Sequence, residues 1–136
     1  MCAMAFEIRT RYGHAETIED PAKAPAVIER LIRELETEEF EVPDDEHTEV
    51  SVGYGDWGLS VQISGLLTLS DVQGTLGVGS GRPSGQGFLR AMSRMQVLDL
   101  LVKMAEGRIQ EVRNAGWVPY DRLPPHRADF FRKPSW

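Results

Sequence analysis

Two patterns of apolar residues organise the chain: alternation at every second position, typical of half-buried strands, and recurrence at three- and four-residue spacing, typical of helices. Alternation first appears at Phe6 and Ile8, where it predicts a strand. It returns over residues 50–69 and is interrupted at Gly55-Asp56 and at Ser64-Gly65. Because Gly55-Asp56 suits a two-residue hairpin turn, this region predicts a meander of three antiparallel strands.

The helical spacing occurs twice. Asp20 and Pro21 suit an N-cap and a first helical residue, and they predict a first helix that ends within residues 37–40. A second, long helix is predicted from Gly87 to a stop at Gly116. Gly107 is a possible break in it, because an interior glycine costs about 1 kcal/mol relative to alanine. The apolar stripe of this second helix is predicted to consist of Phe88, Met92, Met95, Leu98, Val102, Ala105, Ile109 and Val112.

The predicted order of elements is β-α-β-β-β-α. This order indicates an α+β fold, in which two helices pack on one face of an antiparallel β meander. A chain of 136 residues is expected to form a single domain. Residues 1–4 are expected to be disordered, and residues 118–136, with four prolines, to form an extended proline-rich, aromatic and basic tail.

Composition narrows the class of protein. The chain is 41% hydrophobic and 26% charged, as in ordinary soluble globular proteins. No apolar run reaches the roughly 18–20 residues that span a bilayer, and the N-terminal residues lack the pattern of a secretory signal. Cys2 is the only cysteine, which excludes an internal disulfide and favours a reducing, cytoplasmic location.

The net charge of −6 is unevenly distributed. Residues 1–50 carry a net charge of −9, residues 51–80 a net charge of −2, and residues 81–136 a net charge of +5. Two interpretations stay open at this point. The two ends contact partners of opposite sign, or the two halves neutralise each other on one folded surface.

A glycine-rich stretch, residues 74–88, lies between the meander and the predicted second helix, which is the layout of a phosphate-binding loop. The motif itself is missing, because Arg82 and Pro83 stand where a P-loop needs lysine and a hydroxyl residue. The parallel β-α-β context is missing as well. An anion held by Arg82 and a helix N-terminus stays possible, but a connecting or partner-contacting loop is favoured.

The sequence predicts no catalytic residue, no metal site and no cofactor. His14, His47 and His126 are far apart in the sequence, and the acidic residues next to His47 lack the spacing of a calcium loop. A nucleophile elbow is absent, and Cys2 has no identifiable base. A small enzyme with an anion site therefore remains a minor alternative.

The strongest binding signal is a run of nine acidic and no basic residues over positions 34–49. A surface of one sign steers a basic protein partner, although a solvated helix end is the plainer interpretation. A second candidate is the hairpin around Gly55-Asp56, which is expected to be exposed. The predicted partner-binding residues are Glu34, Glu36, Glu38, Glu39, Glu41, Asp44, Asp45, Glu46, Tyr54, Asp56, Trp57 and Arg82.

Aromatic and basic residues alternate irregularly from Trp117 to the C-terminus. Such a segment could stack on single-stranded nucleic acid, so a nucleic-acid-binding adaptor is the alternative to a protein-binding function. Packing of this segment back onto the domain is favoured, and a nucleic-acid partner is accordingly disfavoured. The sequence does not determine the oligomeric state.

Three further features carry a family resemblance over residues 5–70: Thr17-Ile18-Glu19-Asp20 at a helix opening, Val52-Gly53, and Gly58-Leu59 in the meander. Together they resemble the first family of immunity proteins of bacterial polymorphic toxin systems. The resemblance implies a cytoplasmic protein that neutralises a cognate toxin by stoichiometric binding and performs no chemistry of its own. Members of that family bind through variable surfaces, so the resemblance assigns no residue a role.

Overall fold

The computed structural model describes residues 5–10, 13–36, 49–71, 86–119 and 122–123. They form the α+β fold that the sequence predicts, a six-stranded antiparallel sheet with helices on one face. The strands are β1 (Phe6–Arg9), β2 (Ala15–Ile18), β3 (Glu49–Tyr54), β4 (Trp57–Gln62), β5 (Leu66–Asp71) and β6 (Gln86–Arg90). The helices are α1 (Ala24–Glu36), α2 (Arg94–Ala105) and α3 (Ile109–Arg113). Across the sheet the order is β2-β1-β3-β4-β5-β6.

The predicted meander is confirmed as β3, β4 and β5. Tyr54 pairs with Trp57 across the first turn, which consists of Gly55 and Asp56. Gly55 has a φ of 59°, and no residue other than glycine has a positive φ in the described part of the chain. A positive φ at the first turn residue alone matches a type II′ turn, the Gly-X hairpin type.

Strand β2 is absent from the predicted order of elements. Only Ile18 is buried among its four residues, so the strand lacks the alternation that would reveal it. Thr17 and Ile18, interpreted above as a helix opening, pair instead with β1. The predicted N-cap at Asp20 is confirmed, since its carboxylate accepts a hydrogen bond from the Ala22 backbone N–H at 3.0 Å. A 3-10 turn over Pro21–Lys23 then leads into α1.

The prediction of a helix from Gly87 is wrong. Residues 86–90 form β6, which pairs antiparallel with β5. Helix α2 begins at Arg94, where Ser93 Oγ accepts a hydrogen bond from the Gln96 backbone N–H at 3.1 Å. Gln96 Oε1 in turn accepts one from the Met92 N–H at 2.6 Å. This reciprocal contact is a variant of the capping box, and its Ser-x-x-Gln spacing is the sequence signal for the true helix start.

The apolar stripe predicted for the second helix is also wrong, because most of its residues do not lie on the buried side. Of its members only Ala105 and Val112 are buried, whereas Met92 and Met95 are 78% and 79% exposed. The buried side of α2 consists of Val97, Leu100, Leu101, Met104 and Ala105. The predicted break is confirmed, because Gly107 has a φ of 77° and separates α2 from α3.

The core lies between the sheet and helices α1 and α2. Strands β1, β3, β4 and β5 each contribute alternate residues, and α1 contributes the face that carries Ile28, Leu31 and Leu35. After α3 the chain returns to the sheet. The buried Trp117 donates a hydrogen bond from its indole Nε1 to the Val112 carbonyl at 2.6 Å.

The neighbouring Val118 pairs with Phe88 on the outer side of β6. The first residues of the predicted tail therefore pack on the domain. The rest of the tail, apart from residues 119 and 122–123, lies outside the described residues, as do residues 1–4 and the predicted helix end at 37–40.

Candidate functional site

The face of the sheet that points away from the helices, called the open face below, is not covered by any described helix or strand. Its alternate residues line a broad cavity of about 780 Å³. The central part of this face consists of short side chains or glycine on three adjacent strands. These residues are Ser51 and Gly53 of β3, Gly58 and Ser60 of β4, and Thr68 and Ser70 of β5.

Strand register places these central residues in rows. Gly53 lies opposite Gly58, and Gly58 lies opposite Ser70. In the next row Ser51, Ser60 and Thr68 are direct neighbours. These central residues are called the floor below. Because two glycines adjoin, backbone atoms form part of the floor, and a longer side chain introduced there would narrow the cavity.

Longer side chains border the floor on both sides. Glu7 and Arg9 project from β1, and Gln86 and Phe88 project from β6. At about 4.8 Å between strands, β1 and β6 lie roughly 19 Å apart. An α-helix with its side chains is about 10–12 Å wide, so the floor between these borders is wide enough for one helix or an extended segment of a partner.

Glu49 links the open face to the acidic run. It begins β3, is exposed, and lines the cavity at the end of the sheet that β3 enters. With Glu7 it provides two carboxylates beside the guanidinium of Arg9 at the border of the cavity that β1 forms. The charge at this border is therefore weakly negative.

The structure describes two of the predicted acidic residues of the run, Glu34 and Glu36, both half-buried near the end of α1. Glu36 accepts hydrogen bonds from Arg94 Nε and Nη2, both at 2.9 Å. The same guanidinium donates to Glu29 through Nη2 at 2.7 Å and through Nη1 at 3.2 Å. Arg94 therefore ties the acidic α1 to α2, which supports mutual neutralisation of the two halves at these residues.

This arrangement changes the acid–base properties of its members. The hydrogen bonds that Arg94 donates to Glu36 and to Glu29 raise the pKa of Arg94, so its guanidinium stays charged. The hydrogen bond from Arg94 lowers the pKa of Glu29, with a smaller contribution from Arg33. Since Glu36 is engaged within the chain, a partner would have to compete with Arg94 for it.

The hairpin residues divide between solvent and core. Asp56 is exposed as expected, but Tyr54 and Trp57 are half-buried and pack against the core, so the expectation of an exposed aromatic hairpin is wrong for both. The Tyr54 ring lies against Gly107, and the Arg113 guanidinium lies 5.4 Å from the centroid of the Trp57 ring. Both aromatic side chains thus contribute to packing around α3.

The predicted site residues that the structure describes lie on separate elements, with Glu34 and Glu36 on α1 and the others at the hairpin between β3 and β4. The acidic segment leads into β3 at Glu49, whereas the hairpin begins after Tyr54, about 17 Å further along the strand. The segment that contains Arg82 joins the sheet at the hairpin end, because Asp71 pairs with Trp57. Arg82 itself and Glu38, Glu39, Glu41, Asp44, Asp45 and Glu46 lie outside the described residues.

The possible anion site at the end of the glycine-rich stretch does not have the expected architecture. Residues 86–88 are part of β6, so the stretch leads into an antiparallel strand. The N-terminus of α2 comes only after that strand, at Arg94. A phosphate loop of the strand–loop–helix type is therefore excluded here.

The sequence interpretation missed the residues of the open face because it looked for charged and aromatic side chains. A signal was present, since small polar residues and glycines alternate with apolar ones throughout β3, β4 and β5. In a two-sided sheet, that alternation marks the side facing away from the core.

Among the described residues, no group of three or more His, Cys, Asp or Glu side chains could hold a metal ion. Within the same residues, no helix has the length and apolar character needed to cross a membrane. Comparisons of the chain with protein-family models, curated proteins and solved structures found no match.

Proposed function

We propose that this protein is an immunity protein that neutralises a cognate toxin domain by binding it in a one-to-one complex. The observation that carries the proposal is the open face, a surface of short side chains spread across several strands. The resemblance of residues 5–70 to the immunity family supports the same conclusion. The open face is accordingly the docking surface, and its occupant is a segment of the toxin.

The breadth of the open face favours a protein segment over a small ligand. Small-molecule sites bury about 70–90% of their ligand among convergent polar groups. Here the lining residues come from all six strands, and the floor carries hydroxyl groups and backbone. A bound segment would contact this floor on one side and remain accessible on the other.

Charge favours a basic partner. The chain has a net charge of −6, and the acidic run reaches the open face through Glu49. An acidic border accelerates the approach of a basic toxin domain and makes the association rate sensitive to salt. The acidic run and Asp56 remain predicted contacts of this complex.

The test is co-expression with the toxin encoded by the neighbouring reading frame, followed by affinity purification and a growth-rescue assay. Ser60→Arg places a long side chain in the middle of the floor, and we expect it to abolish both rescue and complex formation. The matched control is Ala26→Arg, which adds the same side chain at an exposed position of α1, on the helix side. The control should rescue growth like the unmodified protein.

Two results would contradict the proposal. If the unmodified protein neither rescues growth nor binds the toxin, the immunity function is wrong. If it rescues growth but Ser60→Arg does so equally well, the toxin binds elsewhere and the open face is not the docking surface. Circular dichroism of both variants verifies that any loss of rescue is not a loss of fold.

A further inference from the structure

We infer that residues 124–136, called the C-terminal segment below, lie across the open face of the free protein, where they compete with the toxin. The chain reaches the border of this face at Val118 and carries a basic, aromatic sequence beyond residue 123. Contacts, length and charge within the chain support the position of the segment. Competition with the toxin rests in addition on the function proposed above.

The chain is anchored at the β6 border of the open face. The Phe88 backbone N–H donates to the Val118 carbonyl at 2.9 Å, and the Val118 N–H donates to the Phe88 carbonyl at 3.0 Å. Residues directly opposite each other in an antiparallel pair have side chains on the same side of the sheet. Since Phe88 lines the cavity, Val118 also faces this side, whereas the preceding Trp117 is buried in the core. The open face therefore continues past β6 onto the chain that leads into the C-terminal segment.

A turn then ends the pairing with β6. Antiparallel pairing carries the chain beyond Val118 toward Gln86, the first residue of β6. The Arg122 N–H donates to the Pro119 carbonyl at 3.0 Å, a hydrogen bond that closes a tight turn. The half-buried Leu123 follows this turn. A strand at this edge would extend the sheet, but a turn allows the C-terminal segment to cross over its face.

The C-terminal segment is long enough to span the open face. It has thirteen residues, and an extended chain covers about 3.3 Å per residue. The distance between β6 and β1, roughly 19 Å from the strand spacing, needs about six of them. The segment therefore reaches the acidic border at β1 with residues to spare.

Charge complementarity selects the C-terminal segment as the occupant of the open face. Its side chains sum to a net charge of +2, from three basic residues and one acidic residue: Arg127, Arg132, Lys133 and Asp129. At the far border of the open face, Glu7 and Glu49 line the cavity beside Arg9. The opposite charges of the segment and of this border attract each other. Because the segment belongs to the same chain, its effective concentration at the face is roughly millimolar, so weak contacts suffice.

The floor fits the aromatic side chains of the segment. Gly53 and Gly58 lie opposite each other, so backbone atoms form part of the surface between the short side chains around them. The segment contains Phe130, Phe131 and Trp136. Each aromatic side chain buries about 150–250 Å² when it is covered. Rings laid on this floor leave water without a clash, whereas a floor of long side chains would exclude them.

Paramagnetic broadening in the full chain tests the position of the segment. A nitroxide label at Ser135→Cys, in a Cys2→Ser background, broadens the amide NMR signals of the residues that come near it. We expect the signals of Gly58 and Ser60 on the floor to lose several times more intensity than that of Ala26, which is exposed on the helix side. Equal broadening on both sides of the sheet, or stronger broadening on the helix side, would overturn the inference.

Two controls use the same label. In the Ser60→Arg variant a long side chain occupies the floor, so the difference between the two sides should disappear, and a difference that persists would contradict the inference. In a mixture of labelled chains with unlabelled, isotope-enriched chains, the floor signals should keep their intensity. Broadening in that mixture would mean that the segment reaches a second copy, which would also overturn the inference.

Phe130→Ser combined with Phe131→Ser tests the competition. Removal of both rings should reduce the broadening on the floor and raise the affinity for the toxin several-fold, because the toxin no longer has to displace the segment. An unchanged affinity would contradict the competition. If the label broadens the floor of a chain that neither binds the toxin nor rescues growth, the position of the segment stands and the immunity function is wrong. The two failures are therefore distinguishable.

Discussion

Gly107→Ala is expected to destabilise the protein more than the same substitution at a glycine where an added Cβ would meet no neighbouring atom. Gly107 has a φ of 77°, and a Cβ added there would lie 2.4 Å from Tyr54 Cζ and 2.6 Å from Tyr54 Oη. Both features oppose the substitution. The backbone must hold a left-handed conformation with a side chain, and the Tyr54 ring must leave its position over the turn.

The two contributions can be estimated separately. A residue other than glycine in the left-handed region costs roughly 1–2 kcal/mol. Forcing an extra carbon into a packed contact costs about 1–3 kcal/mol. The free energy of unfolding should therefore fall by about 2–5 kcal/mol, a large share of the 5–15 kcal/mol that is typical of a folded domain.

Gly116→Ala provides the control for the backbone contribution. Gly116 has a φ of 93°, and no heavy atom would lie within 4 Å of an added Cβ. Its substitution should cost only the backbone part, about 1–2 kcal/mol. Urea denaturation followed by circular dichroism measures both variants, provided that the slopes of the transitions agree.

A Tyr54→Ala background isolates the steric contribution. With the ring removed, Gly107→Ala should cost no more than Gly116→Ala, because only the backbone term remains. The reasoning is refuted if Gly107→Ala and Gly116→Ala are equally destabilising in the unmodified chain. It is also refuted if the excess cost of Gly107→Ala survives removal of the ring, since Tyr54 would then not pack over this turn.

Three further contacts can each be tested by substitution and urea denaturation. Arg94→Gln should lower the urea midpoint at neutral pH. This effect should disappear as the pH falls through and below the ordinary glutamate range, because the ion pair that lowers the pKa of Glu29 stabilises the fold only while that carboxyl is ionised. A difference in midpoint that does not change with pH would contradict this. Ser93→Ala should cost about 1 kcal/mol through loss of the N-cap, whereas Ser93→Asn should cost little, and equal losses would argue against capping. Trp117→Phe should cost about 1–3 kcal/mol by leaving the Val112 carbonyl without its indole donor, and an unchanged midpoint would contradict that hydrogen bond.

Several elements of the fold could be predicted because their signals are local. The turn between β3 and β4 needs a residue that tolerates positive φ, and Gly55 supplies it. The 3-10 turn that leads into α1 is capped by the Asp20 carboxylate, two residues from the N–H that it accepts from. The break after α2 follows from Gly107 alone. Interactions between residues that are close in the sequence can be predicted from the sequence alone.

The candidate site was harder to predict because it depends on how several strands pair with one another. The floor of the open face forms only when β3, β4 and β5 pair in the observed register, which sets Gly53 opposite Gly58. The aromatic hairpin residues were misjudged for a similar reason. Tyr54 and Trp57 look exposed beside a tight turn, but Gly107 and Arg113, more than fifty residues later, pack against them.

The sequence by itself determined the α+β class, the meander and the N-cap at Asp20, since apolar periodicity and capping residues act within each segment. Tertiary structure alone decided that residues 86–90 are a strand, because β5 supplies their hydrogen bonds. It also decided which side of α2 is buried. That helix is apolar on two sides, and only the position of the sheet determines that Val97 and Leu101 enter the core while Met95 remains in solvent.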